Sequence, residues 1–291
     1  MFSTKEDFVK LSINIEDDFD LIKIADSGQC FRVKKYDNGV CRFITGDQTI
    51  YIGRERERKY HVSCSKDAWE QVWMEYFDLS RNYRAIRKEA GARNPFVDRA
   101  IQEGMGIRIL RQNTWEMLIT FIISQRKNIP AISRAVETLS VQYGRKIENR
   151  YETIYTFPTP EELKRATPEG LKACGLGYRT PYVMDAAEKV SAGCLDLDVI
   201  ATYEDEELFQ ALQKVHGVGK KVANCICLFG YGRISRVPVD VWIARAIQEE
   251  CEGENVFENY GDYAGIIQQY IFYYERSRKN RKKGSDNLFI V

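Results

Sequence analysis

Leu212-Gln213-Lys214-Val215-His216-Gly217-Val218-Gly219-Lys220-Lys221-Val222-Ala223 is the stretch that decides how the chain is read. One helix ends in it, a Gly-x-Gly turn follows, and a second helix begins at once. Glycine permits positive φ and lets another backbone approach closely. The second helix then aims its free N–H groups and the positive end of its dipole outward, which suits a phosphate without any side-chain charge. By spacing alone, the same stretch reads equally well as a helix–helix turn closed by a C-cap glycine.

Outward from this hairpin the chain keeps reading as helices. Downstream lies a Gly/Pro-bearing loop, Gly230-Tyr231-Gly232-Arg233-Ile234-Ser235-Arg236-Val237-Pro238-Val239. Asp240 follows it, directly before the apolar-periodic run Val241, Ile243, Ala244 and Ile247, which makes it a helix N-cap by residue type. Upstream, Thr114 to Ser124 is apolar enough for a buried central helix, and Ile129 to Tyr143 is amphipathic. Thr159-Pro160-Glu161-Glu162 and Thr167-Pro168-Glu169 open helices with an N-cap, a first-turn proline and an acidic residue. Periodicity predicts further helices over 180–192, 204–215, 220–230, 240–250 and 259–276.

The first third has another texture. Residues 31–35 and 40–45 flank Asp37-Asn38-Gly39, a hairpin signal, and 49–53 and 60–64 continue the β-rich pattern. From Lys66 the period changes, with Trp69, Trp73, Tyr76 and Phe77 recurring at helical spacing as a core stripe. The expectation is an α+β chain: an antiparallel β-sheet domain with flanking helices over residues 1–95, then a mostly α-helical domain over 96–291 in which nearly everything after Pro95 is helix.

With 291 residues, 44% hydrophobic and 29% charged, the chain is long enough for two cores and too apolar for disorder. Its most apolar run, Met117 to Ile123, is far too short to span a bilayer, and the charged start Met1-Phe2-Ser3-Thr4-Lys5-Glu6-Asp7 lacks a signal-peptide core. An intracellular protein without a membrane partner is expected. Eight cysteines are scattered with no Cys-x-x-Cys pair, and His61 and His216 are the only histidines. These counts argue against a disulfide framework, a zinc site and a four-cysteine iron–sulfur cluster. A net charge of +1 identifies no partner, because basic and acidic faces can cancel. Basic residues do group, at Arg126, Lys127, Arg134, Arg145 and Lys146, and in a tail of Arg276, Lys279, Arg281, Lys282 and Lys283. Glu204, Asp205, Glu206 and Glu207 form an acidic run; a solvated surface accounts for each such run taken singly.

The hairpin, its loop and an aspartate 19 residues after Lys221 together resemble the helix-hairpin-helix DNA glycosylase superfamily. Over most of its length the chain is similar to the 8-oxoguanine DNA glycosylases within it. That resemblance implies a bifunctional glycosylase and abasic-site lyase of base excision repair, monomeric, needing no cofactor, with duplex DNA containing oxidised guanine as partner. The compartment would be cytoplasm or nucleoid in a bacterium and the nucleus in a eukaryote. The catalytic pair carries over to Lys221, the second residue after the last hairpin glycine, and Asp240. Lys221 falls in the first turn of its helix, where the dipole disfavours an ammonium and favours the neutral amine that attacks carbon 1 of the sugar. A Schiff base and strand cleavage by β-elimination follow. Asp240 would stabilise the positive charge that builds on the sugar, while still capping its helix. His216, Gly217, Gly219 and Lys220 would face the phosphates.

Ser27-Gly28-Gln29-Cys30-Phe31-Arg32 is similar to the family's lesion-reading loop, in which a glycine carbonyl, here that of Gly28, accepts a hydrogen bond from the lesion. Oxidised guanine carries an N–H at nitrogen 7 where guanine has a lone pair, so one carbonyl attracts the first and repels the second. Lys221 and Cys225 are four apart and share a helix face, as do Gln268 and Phe272. The resemblance has Cys225 and Phe272 sandwich the flipped base and Gln268 read its Watson–Crick edge. As bare residues, Cys225 and Phe272 read as core packing.

Opposite the lesion, Ser124-Gln125-Arg126-Lys127-Asn128-Ile129 occupies the family's gap-filling position, with Arg126 and Asn128 on the DNA side. Arg126 stands in place of an asparagine, and Ala131 in place of an arginine, of the eukaryotic members. Gly175-Leu176-Gly177-Tyr178-Arg179 keeps the aromatic wedge, Tyr178, and the second arginine, Arg179. With one arginine missing, weak preference for cytosine opposite the lesion is expected. Trp242 and Glu275 also depart from the eukaryotic histidine and aspartate. A structural monovalent cation on the main-chain carbonyls of Gln213, Val215 and Val218 is a further implication. The hairpin and Asp240 would also serve a glycosylase for another base, and a hairpin alone would serve a DNA-docking module without chemistry. Lys221 with Asp240 favours an enzyme; Gly28, Gln268 and Phe272 favour oxidised guanine.

Overall fold

A five-stranded antiparallel sheet is built from β1 (Leu11–Asn14), β2 (Lys34–Lys35), β3 (Val40–Thr45), β4 (Gln48–Arg56) and β5 (Lys59–Val62), in the spatial order β1-β5-β4-β3-β2, with burial continuous over Val40 to Ile44 and alternating along β5. This is a computed structural model that describes residues 9–91 and 93–286, with side chains as far as Lys279. The charged start at Met1 to Asp7 and the side chains of Arg281, Lys282 and Lys283 lie outside the described part. One face of the sheet, with Phe43, Ile50, Ile52, Tyr60 and Val62, packs on the predicted aromatic stripe of Trp69, Trp73, Tyr76 and Phe77.

The turn at 37–39 closes β2 onto β3, with Lys35 opposite Cys41. The strand predicted over 31–35 shrinks to Lys34–Lys35, because Phe31 and Arg32 leave the sheet for the helical part. Phe31 packs edge-on against Phe121 at 6.0 Å, and Arg32 donates to Glu137 at 3.2 Å and to the Tyr155 carbonyl. Strand β1 lies outside the expected strands, although Leu11 and Ile13 alternate with Ser12 and Asn14; it forms by pairing far along the chain, Leu11 opposite Val62. The helical part is also not all helix. A two-stranded ribbon of β6 (Lys146–Glu148) and β7 (Thr153–Tyr155) interrupts it.

Thr114–Ser124 is the expected central helix. Asn113 caps it, accepting from the Glu116 amide at 2.9 Å, and every residue from Trp115 to Ile123 is buried. A helix apolar on all sides needs neighbours on all sides; here they are Ile129–Tyr143, Thr180–Ser191 and Lys220–Phe229. The capping box at Thr159 forms both bonds, the Glu162 amide donating to Thr159 Oγ1 at 3.2 Å and the Thr159 amide to Glu162 at 2.8 Å. The helix predicted over 204–215 is shorter, Asp205–Leu212, since its last residues already turn. That predicted over 259–276 becomes a 3₁₀ stretch, Val256–Tyr263, followed by a long helix, Ala264–Asp286, which lies along Pro95–Gly104. Among the described residues, no helix is long and apolar enough to cross a membrane.

Candidate active site

The hairpin forms where the sequence places it, between Asp205–Leu212 and Lys220–Phe229. Gly217 has φ +82°, and a Cβ there would lie 2.4 Å from the Tyr182 ring, so backbone and packing both demand glycine. Gly219 is different: its φ is −90°, and a Cβ would meet nothing within 4 Å. It is the N-cap of the second helix and offers no side chain, so the first-turn N–H groups remain uncapped. Asp185 braces the turn, accepting from the His216 amide at 2.7 Å and from Lys189 Nζ at 2.8 Å. Burial would raise this carboxyl's pKa, but those bonds outweigh burial and hold it below the ordinary range. The acidic run opens the first hairpin helix and is engaged internally, Asp205 with Arg233 and Glu206 with Arg236.

Lys221 and Asp240 line one cavity of about 790 Å³, each half-buried. Lys221 Nζ lies 5.6 Å from the centre of the Phe121 ring. Asp240 caps Val241–Glu250 with a single oxygen, Oδ1, which accepts from the Trp242 and Ile243 amides at 3.0 and 2.9 Å. Capping therefore leaves Oδ2 unused. One turn beyond Lys221, burial raises the Cys225 thiol, an effect the lysine beside it opposes.

The opposite wall comes from Ala264–Asp286 and the loop after Leu21–Asp26. Gln268 and Phe272 line it, and the Oε1 of buried Gln268 carries no hydrogen bond. An unpaired buried acceptor costs about 1–3 kcal/mol, and this one borders the cavity, where a donor that enters can reach it. Gly28 closes the wall with φ +80°, and a Cβ there would come within 2.8 Å of Arg276, 2.9 Å of Ile129 and 3.0 Å of Phe272. Sequence reasoning overlooks Phe121, Ile129, Gln269 and Arg276, which line the cavity as well. Arg276 belongs by composition to a basic tail, yet its four-residue spacing from Phe272, and eight from Gln268, marks the same helix face. Its Nη1 donates to the Asp26 carbonyl at 3.0 Å, and burial lowers its pKa.

The expected DNA-side residues divide. Arg126, Asn128, Gly219 and Lys220 reach the cavity, and Asn128 also caps Ile129–Tyr143 by accepting from the Ala131 amide at 2.9 Å. Lys127 sits beside them, its pKa lowered by burial and then by Arg179 and Arg134. Tyr178, Arg179, His216 and Gly217 lie outside the lining. Tyr178 and His216 are exposed and flank Tyr182, with ring centres at 6.2 and 4.5 Å. Arg179 is buried beneath Tyr178, donating to the Gln125 carbonyl and to the Leu176 carbonyl at 3.2 Å. Gln125 in turn donates to the Gly217 carbonyl at 3.1 Å, so it joins the loop after the central helix to the hairpin and to Arg179. Gln213, Val215 and Val218 also lie outside the lining, and the Val215 carbonyl accepts from the Val218 amide at 3.0 Å.

Two family models match consecutive parts of the chain. Residues 10–118 match the family described as 8-oxoguanine DNA glycosylase, N-terminal domain, and residues 119–251 match the HhH-GPD superfamily of base excision DNA repair proteins. The chain is 31% identical to the N-glycosylase/DNA lyase of Saccharomyces cerevisiae, over 84% of this chain and 71% of that one. A similar relative is N-glycosylase/DNA lyase OGG1 of Arabidopsis thaliana, 28% identical over 84% and 74% of the two chains. Among solved structures, the Clostridium acetobutylicum 8-oxoguanine glycosylase/lyase, bound to duplex DNA with cytosine opposite 8-oxoguanine, superposes with a TM-score of 0.86. It is 32% identical and covers 94% of this chain and 99% of its own. The chain belongs to the 8-oxoguanine DNA glycosylase family, within the helix-hairpin-helix superfamily of base excision repair proteins.

Proposed function

We propose that this protein excises 8-oxoguanine from duplex DNA and then nicks the strand, acting as a bifunctional glycosylase and abasic-site lyase. The observation that carries the reading is the meeting of Lys221, Asp240, Gly28 and the unpaired Gln268 amide in one cavity of base-accommodating size. The Lys221 amine, neutral when it reacts, attacks carbon 1 of the deoxyribose. The bond from carbon 1 to nitrogen 9 breaks, its electron pair leaves with the base, and the base takes up a proton as the amine gives one up. Positive charge building on the sugar is stabilised by the Asp240 carboxylate. The bond from carbon 1 to the ring oxygen then breaks, the oxygen takes up a proton from solvent, and an iminium forms between Nζ and carbon 1; it acidifies carbon 2, whose proton loss expels the 3′-phosphate.

The Gly28 carbonyl takes the N–H at nitrogen 7, Gln268 takes the Watson–Crick edge, and Phe272 and Cys225 face the two sides of the base. The uncapped amides behind Gly219, with Lys220 beside them, receive a backbone phosphate, and the open space above Gly219 admits it. Arg126, Asn128, Tyr178 and Arg179 serve the strand opposite the lesion, and His216 and Gly217 the hairpin's phosphate contact. A monovalent cation would sit on the Gln213, Val215 and Val218 carbonyls, for which Val215 keeps one free lone pair; it would supply positive charge near that phosphate. Every group named comes from one chain, so a monomer suffices, and the protein works wherever the cell keeps its DNA. A labelled duplex carrying one 8-oxoguanine tests the reading: release of the base with strand scission there, and none at guanine, is expected. Scission at another damaged base in preference to 8-oxoguanine would overturn it.

A further inference from the structure

The loop that carries Gly28 has its carbonyls assigned unevenly. Asp26 accepts from Arg276 Nη1 at 3.0 Å, Ser27 from Gln269 Nε2 at 2.7 Å, and Gln29 from Gln112 Nε2 at 2.9 Å. Among the described residues, no hydrogen bond reaches the Gly28 carbonyl. The Gln29 side chain ties the loop down again, donating to Ser27 Oγ and to the Arg108 carbonyl at 2.9 Å each, and accepting from the Leu110 amide at 2.7 Å. Gln269 and Ser27 are both almost wholly buried. The loop is thus pinned on both sides of one carbonyl that is left unpaired.

Resting on the reading of Gly28 given above, we propose that Gln269 and Arg276 are positioning residues that aim the Gly28 carbonyl at the oxidised base and so set how well that base is accepted before the sugar reacts. A glycine at φ +80° has no Cβ to limit its rotation, so its carbonyl direction must be imposed from outside. Peptide groups are planar, so fixing the Ser27 carbonyl orients the Gly28 amide, and fixing Asp26 orients the plane before it. Both anchors stand on Ala264–Asp286, the helix that also carries Gln268 and Phe272. The part that reads nitrogen 7 and the part that reads the Watson–Crick edge are therefore held in one rigid frame.

The test compares two activities of the same full-length protein: single-turnover excision from an 8-oxoguanine duplex and cleavage of a duplex with a preformed abasic site, which presents no base to read. For Gln269→Leu, excision falls about tenfold relative to abasic-site cleavage, as expected for a displaced hydrogen-bonding group. Arg276→Met shifts the same ratio in the same direction, while Arg276→Lys, whose ammonium still donates to the Asp26 carbonyl, restores it. If both activities fell together, or if the ratio stayed at its wild-type value in Gln269→Leu and Arg276→Met, the positioning role would be overturned. Wild-type protein that cleaves abasic DNA but leaves 8-oxoguanine intact would instead overturn the reading beneath it, before any variant is made.

Discussion

The two walls of the cavity are built in different ways. The chemical wall, with Lys221 and Asp240, uses two helix starts, and its bonds are local: Asp240 caps amides two and three residues on. The reading wall, with Gly28, Gln268 and Phe272, is held by long-range bonds, Ser27 to Gln269 across 242 residues and Asp26 to Arg276 across 250. The pair proposed to react sits at two helix starts, which a short stretch of chain can specify. A reading group must be aimed against a rigid surface, and that takes distant segments.

Substitutions can separate the walls. The largest effect is expected on the chemical side. Asp240→Asn keeps the N-cap, because asparagine caps as well as aspartate, but loses the charge facing the sugar. Excision should fall by about 10²–10³-fold with the thermal midpoint nearly unchanged, read by single-turnover kinetics and calorimetry. Loss of stability matching the loss of rate would make Asp240 a cap only. On the reading side, Gln268→Leu should lower excision by roughly ten- to a hundredfold while stabilising the fold by about 1 kcal/mol, since it removes a buried acceptor without a partner. A destabilised Gln268→Leu protein would mean that the amide is structural.

Opposite the lesion a smaller effect is expected. With alanine at 131, where no side chain can hydrogen-bond, and Arg179 turned onto the Gln125 carbonyl, rates against the four partner bases should lie within about tenfold of one another, less than a dedicated hydrogen-bonding reader delivers. A strong cytosine bias would show that Arg179 swings out to do the work alone. The smallest effect lies outside the cavity lining, at Glu116 on the central helix. Burial raises its pKa from 4.5 to about 7, against the pull of Arg32 and with a further push from Glu137. Folding favours the protonated acid, so its stabilising contribution is complete below pH 4.5 and is lost as the pH rises through about 7. Glu152, lowered to about 2, acts with the opposite sign below this window. Glu116→Gln should flatten the decline of the thermal midpoint across the window, as measured by melts at several pH values.

How much was legible follows the same division. The hairpin, the Asp240 cap, the central helix and the aromatic stripe all carry local signals, namely glycines, capping residues and helical periods. Strand β1 has four residues and β6 and β7 three each, too few for alternation to stand out, and a short strand is stabilised by its partner more than by its own residues. Phe31 and Arg32 look like strand residues and become packing residues, because burial in the helical part overrides their alternation. The spacing of Arg276 from Phe272 puts the two on one helix face, but its bond to the Asp26 carbonyl, like that of Gln269 to the Ser27 carbonyl, has no local signal. Nothing in a glutamine or an arginine says that a carbonyl some 240 residues away awaits it.

The central claim is that the nucleophile on the chemical wall is Lys221 and that it acts only after the reading wall has accepted the base. Borohydride reduction during turnover of an 8-oxoguanine duplex, followed by peptide mass spectrometry, tests it directly. The account expects a reduced sugar adduct on Lys221, absent with an undamaged guanine duplex. An adduct on Lys220 or elsewhere, or equal trapping by Lys221→Gln, would contradict it.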